Sequence, residues 1–255
     1  MDHGNEVVQT NNDFAIRNQT NDEALVFLHL PKTGGRSLVE VINANIPRAK
    51  IFPYVEWNKI VDNISKQKDY YHFRGHLFYE IGNIINRPVK YITMMRNPID
   101  RIVSQYRFIC RTPDHKRYNK VKDMSFREFI SEKGNHRCYI RFLTYVPRQT
   151  GSLPYSDEMI PQKNRRSAVE LAKERLDGFE FVGITEKFSE SLDVFSGRFG
   201  WPKPGILPRN NASPDYDRIE LTSSDIRLIQ EYSADDIEIY DYACRLLEDS
   251  VSKLS

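Results

Sequence analysis

The sequence predicts an α/β layered fold in which a mostly parallel sheet is flanked by helices. Short, nearly continuous apolar runs occur at 24–30, 89–95 and 179–184, and each is followed by a helical pattern. At two of the junctions stand turn-forming residues, Pro31-Lys32-Thr33-Gly34-Gly35 and Arg96-Asn97-Pro98. Uninterrupted apolar runs of this length suit strands buried on both faces, as in a parallel sheet covered by helices. Strands alternating with helices favour that architecture over a sandwich or a bundle.

Taken in order, 24–30 forms the first strand, the Gly-Gly turn follows, and 37–42 reads as a helix. The second unit is a strand at 89–95 and a helix from 99 to 108, with Asn97 as N-cap and Pro98 at the first helical position, where its missing N–H costs nothing. Residues 112–161 are less regular and rich in basic residues, and we expect them to elaborate the active face rather than form a separate domain. A helix at 166–176 precedes the third apolar run, and another at 190–199 follows it. From 223 to 247, Ile226, Ile229, Ile237, Tyr240, Ala243 and Leu247 recur at near-helical spacing, with a break around 233–235. Residues 1–22 are polar and are expected to be a flexible tail, leaving 23–255 as a single domain.

Composition narrows the class. A chain of 255 residues with 40% apolar and 28% charged residues has room for one substantial core. A net charge of +2 argues against a protein built around nucleic acid, so any attraction for anions must be local. Cys110, Cys138 and Cys244 are far apart with no CxxC pair, which suits free thiols in a reducing compartment rather than zinc or disulfides. With no apolar run before Leu25 and no stretch approaching about 20 apolar residues, neither a signal peptide nor a membrane span is expected, and the location expected is cytoplasmic.

The turn after the first strand has the chemistry of a phosphate site. First-turn N–H groups and the helix dipole favour an anion there. Gly34 and Gly35 permit close backbone approach, Lys32 brings a charge, and Thr33 and Ser37 bring hydroxyls. The loop does not match the Walker A pattern GxxxxGK(S/T), because Lys32 precedes the glycines, and no apolar strand ending in a metal-binding Asp stands out. Alone, it is also compatible with a Gly-Gly turn carrying a solvated lysine. The second unit sharpens the reading: Arg96 closes a strand and Ser104 lies eight residues on, so a guanidinium and a hydroxyl are placed to grip a second phosphate.

These residues resemble a known family. Phe27-Leu28-His29-Leu30-Pro31-Lys32-Thr33-Gly34-Gly35-Arg36-Ser37-Leu38 is similar to the 5'-phosphosulfate loop of sulfotransferases that use PAPS (3'-phosphoadenosine 5'-phosphosulfate). The likeness is greatest to the branch containing the heparan sulfate 2-O-sulfotransferases and their bacterial relatives. Met95-Arg96-Asn97-Pro98-Ile99-Asp100-Arg101-Ile102-Val103-Ser104-Gln105-Tyr106 resembles that family's 3'-phosphate motif. Phe181-Val182-Gly183-Ile184-Thr185-Glu186-Lys187-Phe188 and Leu207-Pro208-Arg209-Asn210-Asn211-Ala212-Ser213 add support. The resemblance implies a P-loop-like parallel sheet, PAPS as donor, PAP (adenosine 3',5'-bisphosphate) as product and no metal. It places Lys32, Thr33, Gly34, Gly35, Arg36 and Ser37 at the 5'-phosphosulfate, and Arg96 and Ser104 at the 3'-phosphate.

In-line displacement at sulfur needs charge stabilisation on the leaving oxygen and a base at the attacking hydroxyl. Lys32 matches the family's catalytic lysine. His76 resembles the catalytic histidine of the 2-O branch, although His72 departs from that branch's closer His-x-His spacing. Glu80 is the reserve base, because other branches use a glutamate, and His29 is expected to serve packing. The stretch 106–122 carries Arg107, Arg111, Lys116, Arg117, Lys120 and Lys122 among Tyr106, Phe108 and Tyr118. It suits either a solvated surface or a basic, aromatic rim for an anionic glycan, with Arg137 and Arg141 near it. The acceptor implied is a glycan hydroxyl, with a lipid or small metabolite as the alternative. Two other readings stand beside this one: a small-molecule kinase using Mg-ATP, which needs a Walker-type lysine and an acidic metal ligand, and a non-catalytic nucleotide-binding protein.

Overall fold

The computed structural model describes residues 22–146, 164–202 and 219–254. The polar N-terminal segment up to residue 21, the 147–161 part of the basic elaboration and the 207–213 segment lie outside the described residues.

Among the described residues four strands, β1 (Ala24–Leu28), β2 (His72–Gly75), β3 (Val89–Met95) and β4 (Phe181–Ile184), form one sheet in the order β2-β1-β3-β4, and every pairing is parallel. All five residues of β1 are buried, as its continuous apolar run requires. Leu28 sits level with Gly75 on one side and Thr93 on the other, so the loops that leave β1, β2 and β3 emerge together. Ligands of open α/β sheets bind beyond these C-terminal strand ends.

Helix α1 (Gly35–Asn45) follows β1, and the short α2 (Trp57–Asp62) precedes β2. After β3 comes α3 (Pro98–Cys110), and the basic region holds α4 (Tyr118–Val121), α5 (Phe126–Ser131) and α6 (Cys138–Thr144). Then come α7 (Arg165–Asp177), α8 (Phe188–Phe199), α9 (Ser223–Tyr232) and α10 (Ala234–Ser252). The last two are separated at Ser233, where the apolar spacing breaks. Asn97 caps α3 through Oδ1, which accepts the Ile99 N–H at 2.9 Å, and Pro98 occupies the first turn. No helix among the described residues is long and apolar enough to cross a membrane.

Two features differ from the sequence reading. Strand β2 was not anticipated, because its four residues, His-Phe-Arg-Gly, form no continuous apolar run. It pairs because it sits at the edge of the sheet and buries His72 and Phe73 against β1. The region after residue 112 is also more ordered than expected. Ile102 and Ile109 of α3 join Val121, Phe129, Ile130 and Ile229 in a second apolar cluster that anchors α4 and α5. Tyr106 packs on Phe126 and Phe129 and donates to the Met124 carbonyl, so it belongs to this core rather than to a rim. Arg117 is turned inward by Glu132 at 2.7 Å, whereas Lys120 pairs with the same carboxylate at 2.5 Å and stays exposed.

His72 is fully buried and its Nδ1–H donates to the Leu25 carbonyl at 3.1 Å, while Nε2 has no hydrogen-bond partner among the described residues. Burial, with a smaller contribution from Arg74, pushes its pKa down to about 3. The folded value lies below the unfolded 6.5, so the unfolded chain binds the extra proton between them. The contribution is fully present above pH 6.5 and is lost as pH falls through that window towards 3. Unfolding free energy from urea titrations should therefore fall by up to about 1.4 kcal/mol per pH unit below pH 6.5 on this account. His72→Gln should reduce that slope.

Candidate active site

The first loop is built on unusual backbone. Lys32 has φ 66° and Gly34 has φ 70°, both in the left-handed region. The lysine carries a steric cost there of about 1 kcal/mol or more, of the kind that persists where the surrounding structure dictates the conformation. A Cβ on Gly35 would lie 2.4 Å from His29 Cδ2, so the α1 amides can approach only because this residue is glycine. No side chain caps α1 at Gly34. Its first turn therefore borders the cleft with uncapped amides at Gly35 and Arg36.

Thr33 departs from its expected role. Its side chain is fully buried and its hydroxyl donates to the Leu30 carbonyl at 2.8 Å, closing the turn internally. The hydroxyl is thus not a donor to the cleft. Ser37 is half-buried on the first turn of α1 and does not border the cleft, whereas Lys32, Thr33, Gly34, Gly35 and Arg36 do.

The second loop is held by main-chain contacts. The Tyr139 hydroxyl of α6 accepts the Arg96 N–H at 3.0 Å and donates to the Arg96 carbonyl. Tyr139 is itself fixed by buried Asp236 of α10, which accepts the Tyr139 N–H at 3.0 Å and the Ile140 N–H at 3.0 Å. Burial pushes the Asp236 carboxyl up, and nearby Arg101 and the α6 amides oppose that shift. The Arg96 side chain lies 3.9 Å from Glu186, and its buried Nε makes no hydrogen bond among the described residues.

Arg101, Ser104, Gln105 and Phe108 all border the same cleft. They stand at i, i+3, i+4 and i+7, one face of α3. Ser104 and Phe108 were singled out from the sequence and Arg101 and Gln105 were given no role, although the helical spacing of polar residues after Asn97 was a usable signal. Arg101 is fully buried, donating to Gln105 Oε1 at 3.0 Å and to the Asn135 carbonyl at 2.9 Å.

Lys32 projects across to this helix. Its Nζ lies 3.9 Å from the Phe108 ring centroid, a cation–π contact. Burial, then the charges of Arg36, Arg111 and Arg96, lowers its pKa to about 8.

On the opposite wall, His76 follows β2. Its Nδ1 lies 2.6 Å from the His29 carbonyl. A carbonyl only accepts, so Nδ1 carries the proton and the neutral ring keeps its lone pair on Nε2. The outer ring edge is open to the cleft, but enough of the ring is enclosed that burial lowers its pKa; Lys32 adds to the shift and the His29 carbonyl opposes it. His29 also borders the cleft, stacked on Phe27 at 5.2 Å and 5.2 Å from the His76 ring. Burial and the surrounding His76, Arg36, Arg74 and Lys32 hold its pKa down at about 3, so it stays neutral. Glu80 does not border the cleft. Its carboxylate pairs with Arg175 of α7 at 2.6 Å and also accepts from Asn83.

The cleft encloses about 320 Å³. Among the described residues it is bordered by Lys32, Arg36, Arg96, Arg101 and Arg141 and by no Asp or Glu. In a chain of net charge +2, this local excess of cations makes the cleft an anion site. The turns after β1 and β3 open into it from the ends of adjacent parallel strands, and His29, His76 and His115 border it as well.

A sequence model described as the sulfotransferase family matches residues 18–243. Among solved structures, the crystal structure of mouse sulfotransferase SULT7A1 complexed with PAP is similar at 17% sequence identity and a TM-score of 0.40. The similarity covers 84% of this chain and 65% of the mouse chain, so the present chain spans under two thirds of that protein's length. No curated protein matches the chain. With a family match that runs across most of its length, the chain belongs to the sulfotransferase family.

Proposed function

We propose that this chain transfers a sulfuryl group from PAPS to a hydroxyl acceptor. The observation that carries the reading is a single cleft, bordered by no acid among the described residues, that contains two separate cationic loops, Lys32 to Arg36 on one side and Arg96 with Ser104 on the other. A donor with phosphates at both the 5' and 3' positions uses both loops. The first-turn amides of α1 and Arg36 hold the 5'-phosphosulfate, and Arg96 and Ser104 hold the 3'-phosphate. The Lys32 ammonium stabilises negative charge on the bridging oxygen as it leaves. His76 Nε2 takes the proton of the attacking hydroxyl. The proposed acceptor is a carbohydrate hydroxyl. This rests on the likeness to the 2-O branch and on Arg141 and Phe142 bordering the cleft near His76, with 6.5 Å between the His76 and Phe142 rings.

Thermal denaturation with PAP, and with ATP in the presence and absence of Mg²⁺, tests the donor. Stabilisation by PAP without metal, and none by Mg-ATP, is expected. The reverse pattern favours a kinase. Consumption of PAPS with a panel of glycan, lipid and small-metabolite acceptors then tests turnover and acceptor class.

A further inference from the structure

Both phosphate loops are tied to one turn that the proposed chemistry does not use. It follows β4, next to β3 in the sheet, and forms a 3-10 turn at Thr185–Lys187. The Thr185 hydroxyl lies 2.7 Å from the Thr33 carbonyl and 2.9 Å from the Met95 carbonyl. The first belongs to the Lys32 loop, and the second immediately precedes Arg96. One hydroxyl proton is thus shared between the two loops. The same side chain limits how closely the first loop can approach, since a Cβ at Gly34 would lie 3.3 Å from Thr185 Cγ2.

Glu186 completes the link. One carboxylate oxygen accepts the Asn97 N–H at 3.0 Å and lies 3.9 Å from Arg96 Nε. The other accepts from the Tyr240 hydroxyl of α10 at 3.0 Å, which anchors the turn to the body of the fold.

We infer that Thr185 and Glu186 are positioning residues that set the separation of the two phosphate loops, and thereby the preference for a nucleotide phosphorylated at both 5' and 3' positions over either monophosphate. The physical basis is additivity. Two phosphates on one rigid nucleoside gain from both loops only if the loops are held at the matching distance before binding. Without the shared hydroxyl, each loop still binds its own phosphate, but part of the binding energy must then order the pair. The inference rests on the donor reading above.

The test is isothermal titration of the full chain with PAP, adenosine 5'-monophosphate and adenosine 3'-monophosphate. Wild type, Thr185→Val and Thr185→Ser are compared. Valine keeps the shape and removes the hydroxyl; serine restores it. The quantity read is the ratio of the tighter monophosphate Kd to the PAP Kd. In Thr185→Val this ratio should fall about tenfold, the effect of one well-placed hydrogen bond, and Thr185→Ser should recover most of it. A role confined to fold stability weakens all three ligands alike and leaves the ratio within twofold of wild type, which overturns the inference. Wild type showing no preference for PAP overturns the donor reading itself, and the inference with it. If Thr185→Val does not fold, Glu186→Gln is read in the same way. It keeps an acceptor for the Asn97 N–H and removes the charge beside Arg96, so an unchanged ratio there also overturns the inference.

Discussion

Lys32→Ala should lower kcat for sulfuryl transfer by about 10²–10³-fold, on the scale of losing one preorganised group at a developing negative charge. The loss should fall on kcat more than on PAP affinity, because the first-turn amides of α1 and Arg36 remain. Equal losses in both would mean that Lys32 binds the donor without favouring the transition state. The pH dependence separates charge from shape. Lys32 acts as the ammonium, and its pKa is lowered to about 8 by burial and by Arg36, Arg111 and Arg96. For the free enzyme, kcat/KM should therefore decline as pH rises through about 8. In the donor complex, the bound phosphosulfate favours the charged form, and the basic limb of kcat should move upwards. Lys32→Arg, whose guanidinium does not titrate in this range, should lose that limb whatever its residual rate.

The second large effect is expected at His76. His76→Ala should reduce kcat by about 10²–10⁴-fold, the usual contribution of a positioned general base, and leave PAP affinity within about twofold of wild type. As a base the neutral ring would be the active form, and its pKa lies below 6.5 because burial and Lys32 disfavour the cation. Activity should therefore hold through neutral pH and decline only as pH falls below 6.5, and that acid limb should vanish in His76→Ala. Glu80→Ala is the informative contrast. It breaks the 2.6 Å pair with Arg175, so it should lower the melting temperature while leaving the acid limb in place. Loss of the acid limb in Glu80→Ala instead of His76→Ala would transfer the role of base to the carboxylate.

Three of the four strands among the described residues were legible because each is an apolar run bounded by turn chemistry, and local pattern suffices for a strand buried on both faces. The Asn97-Pro98 start of α3 was equally local. Strand β2 was not legible. His72 and Arg74 break the apolar run, and the segment becomes a strand only through its pairing with β1. Thr33 illustrates the same limit at the scale of one hydroxyl. Its residue type suits a phosphate, but Leu30, three residues back, takes its proton. The Glu80 carboxylate is paired with Arg175, ninety-five residues away, a contact that no spacing rule anticipates.

By itself, the sequence determined the layered α/β class and marked the two turns, after β1 and β3, that open into the cleft. Each of these is encoded within a short stretch, where backbone preference and residue chemistry act together. Only the tertiary structure decided that the loops share one cleft bordered by no acid among the described residues, that His76 presents Nε2 while Nδ1 is held by His29, and that Thr185 and Glu186 tie the loops together. Those outcomes depend on hydrogen bonds between residues 47, 89 and 152 positions apart, and such distances are set by how the strands stack side by side in the sheet.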